Sequence, residues 1–482
     1  MWDHNPGAAP ERDREFVVQA VAVLVLAALP RFWAAWFDQG VFWPDEIFQS
    51  VEQAHRLAFG FGVVPWEFRV GARSWVFPGM VAGLLKVGAL FGMGSGLSLM
   101  LLVKTVMALF SLLGVYLSMR LAYMLAGRRA AQLAGAFGGF FSVSLLLGSR
   151  CSTEMASAPL LIGSYLLASR SGRARQLLAG GLAGLSIFLR YQNGLVALAI
   201  PVILVSERRY KDAIEFSAAV AFIWLLGGLL DWYTWGHPFH AVRKYLYFNL
   251  MKSAKKYGAY PFTYYAKVAW SAAGPVVAVI VAGFLLSFRK APKLASLVAV
   301  YVLLHCIVPH KEFRFLMPIV PLAFALAGAG LADALERVRY NDALSIALAA
   351  TCAAWMGFLA TRLTWERMGF PSDRGARSPW HSGEGINRLL ADLGGKPDVC
   401  GVIVTGESFG WIGGYSYFHR DVDMFSQLGE PEKRAANYLI APTNQAPSDG
   451  YREVDRIREF SLLRRAGGCA PAPPDYRREL PF

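Results

Sequence analysis

Charge is scarce in this chain. Of its 482 residues 17% are Asp, Glu, Lys or Arg against 55% hydrophobic, and the mean hydropathy is +0.37. That balance excludes one soluble core and implies a polytopic membrane protein. Cysteine is scarce too: Cys151, Cys306 and Cys352 lie in or beside apolar runs without metal-ligand spacing, which leaves them as small packing residues. Cys400 and Cys469 fall in the polar tail and are expected to pair if that tail sits in an oxidising compartment. No Asn-x-Ser/Thr sequon occurs, which favours a bacterial inner membrane over the secretory pathway. No glycine-rich phosphate loop marks a soluble nucleotide-binding domain, and no internal repeat of the kind transporters carry is visible.

What is present is a series of long apolar runs. The first, Phe16–Phe37, lacks a small-residue cleavage site and reads as a retained span with a cytoplasmic N-terminus. Further runs cover about Leu97–Ala126, Ala131–Gly148, Met155–Ala168, Leu177–Leu189, Leu195–Val205, Ile214–Trp235, Val268–Ser287, Leu294–Val308, Phe315–Leu331 and Leu344–Leu363. With the first, these make about eleven candidate transmembrane helices in residues 1–363. Alternate connections are basic: Arg128 and Arg129; Arg170, Arg173 and Arg175; Arg208, Arg209 and Lys211; Arg289, Lys290 and Lys293; Arg337 and Arg339. The positive-inside rule puts them in the cytoplasm and the remaining connections outside. The alternation requires Met80–Met93 to be interfacial or re-entrant. Residues 38–96 then form the first external loop, and residues 364–482 a small external α/β domain. In that tail Gly385–Leu393 reads as helix, Val399–Thr405, Tyr415–Phe418 and Tyr438–Ala441 as strands, and the Pro-rich end Ala470–Pro474 as disordered.

The outward connections share a pattern, since each places ionisable groups where a span ends. Asp45 and Glu46 follow the first span; Arg150 and Glu154 stand in SRCSTEM, Arg190 and Tyr191 in LRYQNG, Asp231 in LLDWYTWG, and His310, Lys311, Glu312 and Arg314 in PHKEFRF. One such corner is ordinarily a capped helix end or a snorkelling side chain; five on one face point to a site. Between Gly236 and Lys267 six Lys and Arg alternate with tyrosines without an acidic residue, a surface suited to anionic headgroups or to an interfacial belt. Adjacent Asp45 and Glu46 cannot straddle a glycosidic bond, because hydrolase carboxylate pairs oppose each other across about 5 to 10 Å. A single carboxylate beside several cations can instead deprotonate an acceptor hydroxyl while the cations hold a phosphate leaving group.

At these residues the chain resembles the glycosyltransferase family 22 mannosyltransferases of the GT-C class. The likeness is strongest to the members that add the third mannose of the glycosylphosphatidylinositol anchor. WPDEIFQSVEQAH, GFGVVPWEF and RSWVFP follow the order and spacing of the family's first-loop elements, and HKEFRFLMPIVPL matches its later signature almost entirely. SRCSTEM and GGYSYFHRDVDMF match more loosely, and Pro65 stands where the family usually has Thr. The resemblance implies a GT-C fold: an all-α polytopic membrane protein with the small C-terminal α/β domain. It implies Asp45 as catalytic base, with Glu46 beside it. It implies His310, Lys311, Arg314 and Arg190 on the donor phosphate, with Trp43, Gln49, Trp66, Arg73, Arg150, Glu154 and Tyr191 lining the substrate site.

The expected activity is inverting transfer of a hexose, mannose first, from a polyprenyl-phosphate donor to a lipid-linked or glycan acceptor at the outer face of the inner membrane. The alternatives are a GT-C transferase of a pentose or aminoarabinose, and a lipid or glycolipid transporter. Membrane lipids are expected partners and nucleic acid is not. No cofactor is expected: Asp45 and Glu46 could ligate magnesium or manganese, but one adjacent pair is thin for a hard cation, so an essential metal is not anticipated.

Overall fold

The computed structural model of the protein describes residues 9–337, 342–370, 376–445 and 450–480; Arg339 lies outside them. Packing divides the chain into two units. One comprises Met1–Ala34, Met107–Leu230 and Leu246–Ser378; the other comprises Ala35–Val106, Asp231–Tyr245 and Pro379–Phe482.

The first unit is helical. Its apolar runs fold as anticipated at Thr153–Ala168, Arg173–Leu189, Gly194–Ser206 and Pro292–Ile307. The run expected at Val268–Ser287 is two helices, Tyr264–Ala273 and Val276–Ser287, because Gly274 (φ 59°) and Pro275 interrupt the hydrogen-bond ladder. Four helices among the described residues are long and apolar enough by themselves to cross a membrane: Arg14–Phe37, Gly96–Phe140, Tyr210–Trp235 and Asp342–Ala360. Gly96–Phe140 has 45 residues, roughly 68 Å of helix, and breaks at Ala126 and Gly127 where the sequence separates two runs. In the second unit Val76–Leu90, with 15 residues, falls short of the about 20 an upright crossing needs.

Helix contacts in this unit rest on small residues. A methyl group on Gly330 would lie 2.0 Å from the Gly283 carbonyl oxygen, so the helices carrying them touch backbone to backbone. Arg31, fully buried, donates to the Ala27, Gly138 and Gly139 carbonyls and to Ser111 Oγ at 2.7–3.0 Å, tying the first helix to the end of the 45-residue one. The basic connections meet through ion pairs: Arg128 with Glu15 and Asp342, Arg129 with Asp342, Lys293 with Glu207, and Lys290 with Asp333.

The second unit joins the first loop to the tail. The tail carries a five-stranded sheet: β1 Val402–Val404, β2 Met424–Phe425, β3 Tyr438–Pro442, β4 Tyr451–Ile457 and β5 Phe460–Arg465, in the order β2-β1-β3-β5-β4. β1 runs parallel to β2 and β3, and β5 antiparallel to β3 and β4. The helix Glu384–Gly394 buries Ile386, Leu389, Leu390 and Leu393, confirming the expected helical run and the α/β character. Cys400 and Cys469 form a disulfide, with Cα atoms 5.9 Å apart, while Cys151, Cys306 and Cys352 are buried thiols.

Two tail expectations are corrected. Tyr415–Phe418 lies in a helical turn, Gly414–Phe418, because the buried Glu52 carboxylate accepts the Tyr415 and Ser416 N–H groups at 3.2 and 2.9 Å. Ala470–Pro474 is ordered: the Ala470 N–H donates to the Arg434 carbonyl, and beyond it Tyr476 Oη donates to the Met424 carbonyl.

Candidate active site

In the second unit the acidic stretch starts with proline at the first helical position, where its missing N–H costs nothing. Pro44–Glu46, a π-helical turn at Ile47–Val51, and Glu52–Phe59 follow one another without a gap. Their inward face is fixed. Glu52 Oε1 accepts the Val63 N–H at 2.9 Å and Oε2 the Ser416 hydroxyl at 2.6 Å, besides the two tail amides. His55 Nε2 and His419 Nδ1 share a hydrogen bond of 2.8 Å. Burial holds His55 at about 4, well below the ordinary histidine range, so this ring is neutral at pH 7, and burial lowers His419 as well.

The two predicted acids differ. Glu46 is 5% exposed, and its Oε1 accepts the Phe42 N–H at 2.9 Å, so this carboxylate braces its own loop. Asp45 is half-buried and keeps partial contact with solvent. Around it stand Gln49, Trp43 and a residue that sequence reasoning passed over, Glu67. Gln49 Nε2 donates to Glu67 Oε1 at 2.8 Å. Burial, then the nearby Asp45 charge, pushes the Glu67 carboxyl up to about 7, with Arg73 pulling the other way. Trp43 meets Trp411 edge to face at 5.5 Å, Trp66 opens the turn carrying Glu67, and Arg73 lies over the Tyr245 ring at 5.1 Å. The WEF motif carried the signal for Glu67, which was hidden among aromatic residues.

Among the described residues of this unit, one group could hold a cation: Asp38, His381 and Glu384 place ligand atoms within 4.8 Å of one another. Each is already engaged. Asp38 Oδ1 accepts the Gly40 and His381 N–H groups, and Glu384 pairs with His381 Nδ1 at 2.5 Å, Arg388 at 2.6 Å and Arg458 at 2.9 Å. Two guanidinium groups on one carboxylate oppose a divalent ion, and Asp45 and Glu46 are not in this group.

In the first unit the corners converge. Glu154, 1% exposed, lies at the start of its helix; Arg190 Nη1 approaches its Oε1 at 3.2 Å and Arg314 Nε at 3.5 Å. Arg314 Nε also donates to Glu312 Oε2 at 2.7 Å, and His310 Nε2 pairs with Glu312 Oε1 at 3.0 Å. Both guanidinium groups lie over Phe315, at 4.7 and 5.7 Å. Burial would raise Glu312, but Arg314 and His310 outweigh it and hold the carboxyl at about 2; Arg190 and Arg314 likewise lower Glu154. Two arginines thus balance two glutamates, and Lys311 adds one cation. Its Nζ donates to the Tyr260 and Val308 carbonyls at 2.9 and 2.5 Å, and burial lowers its pKa. Arg150 is buried at the neighbouring corner, and Tyr191 forms a 3-10 turn beside Arg190. Asp231 belongs to the second unit, where it caps a helix by accepting the Ala241 N–H at 2.9 Å. Its corner follows the ordinary pattern.

Residues 22–365 match the model of the Alg9-like mannosyltransferase family. GPI mannosyltransferase 3 of Yarrowia lipolytica is 28% identical over 342 residues, covering 68% of this chain and 65% of that protein. The Drosophila melanogaster protein of the same name is 27% identical over 334 residues, 66% of this chain and 57% of that one. The matches thus span less than two thirds of these relatives. Among solved structures, ArnT from Cupriavidus metallidurans bound to undecaprenyl phosphate superposes with a TM-score of 0.60 at 14% identity, over 95% of this chain and 99% of that one. The Archaeoglobus fulgidus oligosaccharyltransferase superposes with a TM-score of 0.54 at 14% identity, over 87% and 68%. These likenesses establish a shared GT-C fold.

Proposed function

The chain belongs to the Alg9-like mannosyltransferase family, and from that membership we propose that it transfers mannose from a polyprenyl-phosphate donor to a lipid-linked or glycan acceptor. The observation that carries the reading is the contrast between two neighbouring acids. Glu46 is buried and accepts the Phe42 amide, whereas Asp45 is a part-exposed carboxylate beside Gln49 and Glu67.

In the proposed reaction Asp45 takes the proton of the acceptor hydroxyl as that oxygen forms its bond to the anomeric carbon. The bond from that carbon to the phosphate oxygen breaks, and its electron pair leaves on the lipid phosphate. Arg190, Lys311 and Arg314 stabilise that negative charge, with His310 orienting Glu312 behind Arg314. The lipid-phosphate donor brings its own leaving group, so positioning, one base and a cationic cluster suffice. The proposed setting is the outer face of a bacterial inner membrane, with the sheet-bearing tail on the periplasmic side.

Membranes containing the protein should transfer label from polyprenyl-phosphate mannose, and Asp45→Asn should lower that rate by roughly 10² to 10⁴-fold. Glu46→Gln should act mainly on stability. Near-normal turnover by Asp45→Asn would remove Asp45 from the mechanism. Transfer from a pentose or aminoarabinose donor alone would replace the hexose.

A further inference from the structure

The six cations and interleaved tyrosines between Gly236 and Lys267 have no part in the proposed chemistry. From Trp232 to Lys311 the chain carries no Asp or Glu, and the carboxylate that follows, Glu312, is held by Arg314 and His310. An aromatic interfacial belt would turn its rings outward. Here Tyr264 and Tyr265 are buried, Tyr260 packs on Tyr264 at 4.8 Å, and Tyr257 meets the His310 ring at 5.5 Å. The lysines stay outside: Lys252, Lys255 and Lys256 are all exposed.

The backbone groups those lysines. The Lys252 N–H extends the helix His240–Met251 by donating to the Phe248 carbonyl at 2.8 Å, and the Lys255 and Lys256 N–H groups both donate to the Lys252 carbonyl at 3.1 Å. The three therefore stand at i, i+3 and i+4 on one face. Ser253, buried between them, donates its hydroxyl to the Asn249 carbonyl at 2.7 Å and pins the junction. Just before it Leu246, Tyr247, Leu250 and Met251, at i, i+1, i+4 and i+5, are 45% to 69% exposed and form an uncovered apolar face. An apolar face that ends in three lysines, on a stretch without a carboxylate, suits a helix lying in a lipid interface. The apolar side chains enter the acyl boundary, and the ammonium groups meet phosphates of lipids with net negative charge. The segment is tied to the HKEFR corner, since the Tyr260 N–H donates to the Pro309 carbonyl and Lys311 Nζ to the Tyr260 carbonyl, both at 2.9 Å.

We propose that residues 246–257 dock on the anionic headgroup layer of the bilayer, with Lys252, Lys255 and Lys256 on lipid phosphates and the apolar face beneath them. Docking holds the His310–Arg314 corner at headgroup level. The inference does not depend on which sugar the protein transfers, or on its transferring one.

Hydrogen exchange read by mass spectrometry on the full-length protein in nanodiscs tests this, comparing discs of phosphatidylcholine with discs in which one lipid in three is phosphatidylglycerol. Exchange across residues 246–257 should slow by at least about 5-fold in the anionic discs, the factor that one lysine near such a surface is worth. Combining Lys252→Gln, Lys255→Gln and Lys256→Gln should abolish the difference between discs, while Val76–Leu90 exchanges alike in every sample and shows that the variant is folded. Equal exchange of wild type in the two discs would overturn the proposal. So would a slowing that the triple variant retains, which would assign the protection to the apolar face alone. A slowing produced in neutral discs by inorganic phosphate would overturn it too, by giving the lysines to a soluble anion.

Discussion

Replacing Cys400 and Cys469 with serine should loosen the centre of the tail sheet. The two residues are 69 apart in sequence, and closing a loop of that length removes about 15 cal/mol/K from the unfolded chain, or about 4.4 kcal/mol at 25 °C. Measured losses for native bridges fall at about 2 to 5 kcal/mol. The bridge sits two residues before β1, which lies between β2 and β3 and buries Val402, Ile403 and Val404 completely. Exchange of those amides requires the sheet to open, so its rate should rise by roughly 30- to 5 × 10³-fold in the serine variant. Hydrogen exchange read by mass spectrometry on the full-length protein measures this directly. Reductant should bring wild type to the same rate and leave the variant unchanged. The edge strand β4, whose Arg452, Glu453, Val454, Asp455 and Arg456 are exposed, opens locally and serves as the internal control. A change below threefold at β1 and β3 would refute the loop-entropy reasoning.

Glu154→Gln should destabilise the first unit by about 3 to 5 kcal/mol, because it removes the buried carboxylate that Arg190 approaches at 3.2 Å and Arg314 at 3.5 Å; unfolding in detergent reads this, and an unchanged midpoint would deny the pairing. Arg314→Lys retains the charge and loses the planar fork, so the donor KM should rise with kcat less affected; a change confined to acceptor kinetics would reassign the arginine. Glu67 has a folded pKa raised by burial and Asp45 to about 7, so its stabilising contribution is full below about 4.5 and is lost as pH climbs through about 7. Glu67→Gln should flatten both the stability and the kcat/KM profiles across that window; an inflection near pH 7 that survives the substitution would belong to another group.

Apolar run lengths and basic connections made the helical unit legible, since bilayer thickness and loop charge constrain composition directly. The failures come from partners distant in sequence. YSYF has the aromatic content of a strand, yet it sits in a helical turn because a carboxylate more than 360 residues earlier binds its amides. β4 and β5 went unread: most of β4 is exposed and charged, and β5 ends in two arginines, which masks alternation. In the candidate site the motif positions were visible, but the different surroundings of Asp45 and Glu46, one part-exposed and the other buried on the Phe42 amide, are revealed by no pattern of residue types. Glu67 was overlooked because what distinguishes it is burial and a hydrogen bond from Gln49.

Glu52 also imposes an order in time. Its tail partners are 363 and 364 residues downstream, so at about 5 to 20 residues per second the ribosome supplies them roughly 20 to 70 s after the glutamate itself. For that interval the loop bearing Asp45 must wait as a hydrated, unlocked segment. The first part of the site to be synthesised is therefore among the last to acquire its shape, and a nascent chain stopped before the tail would be inserted yet inactive.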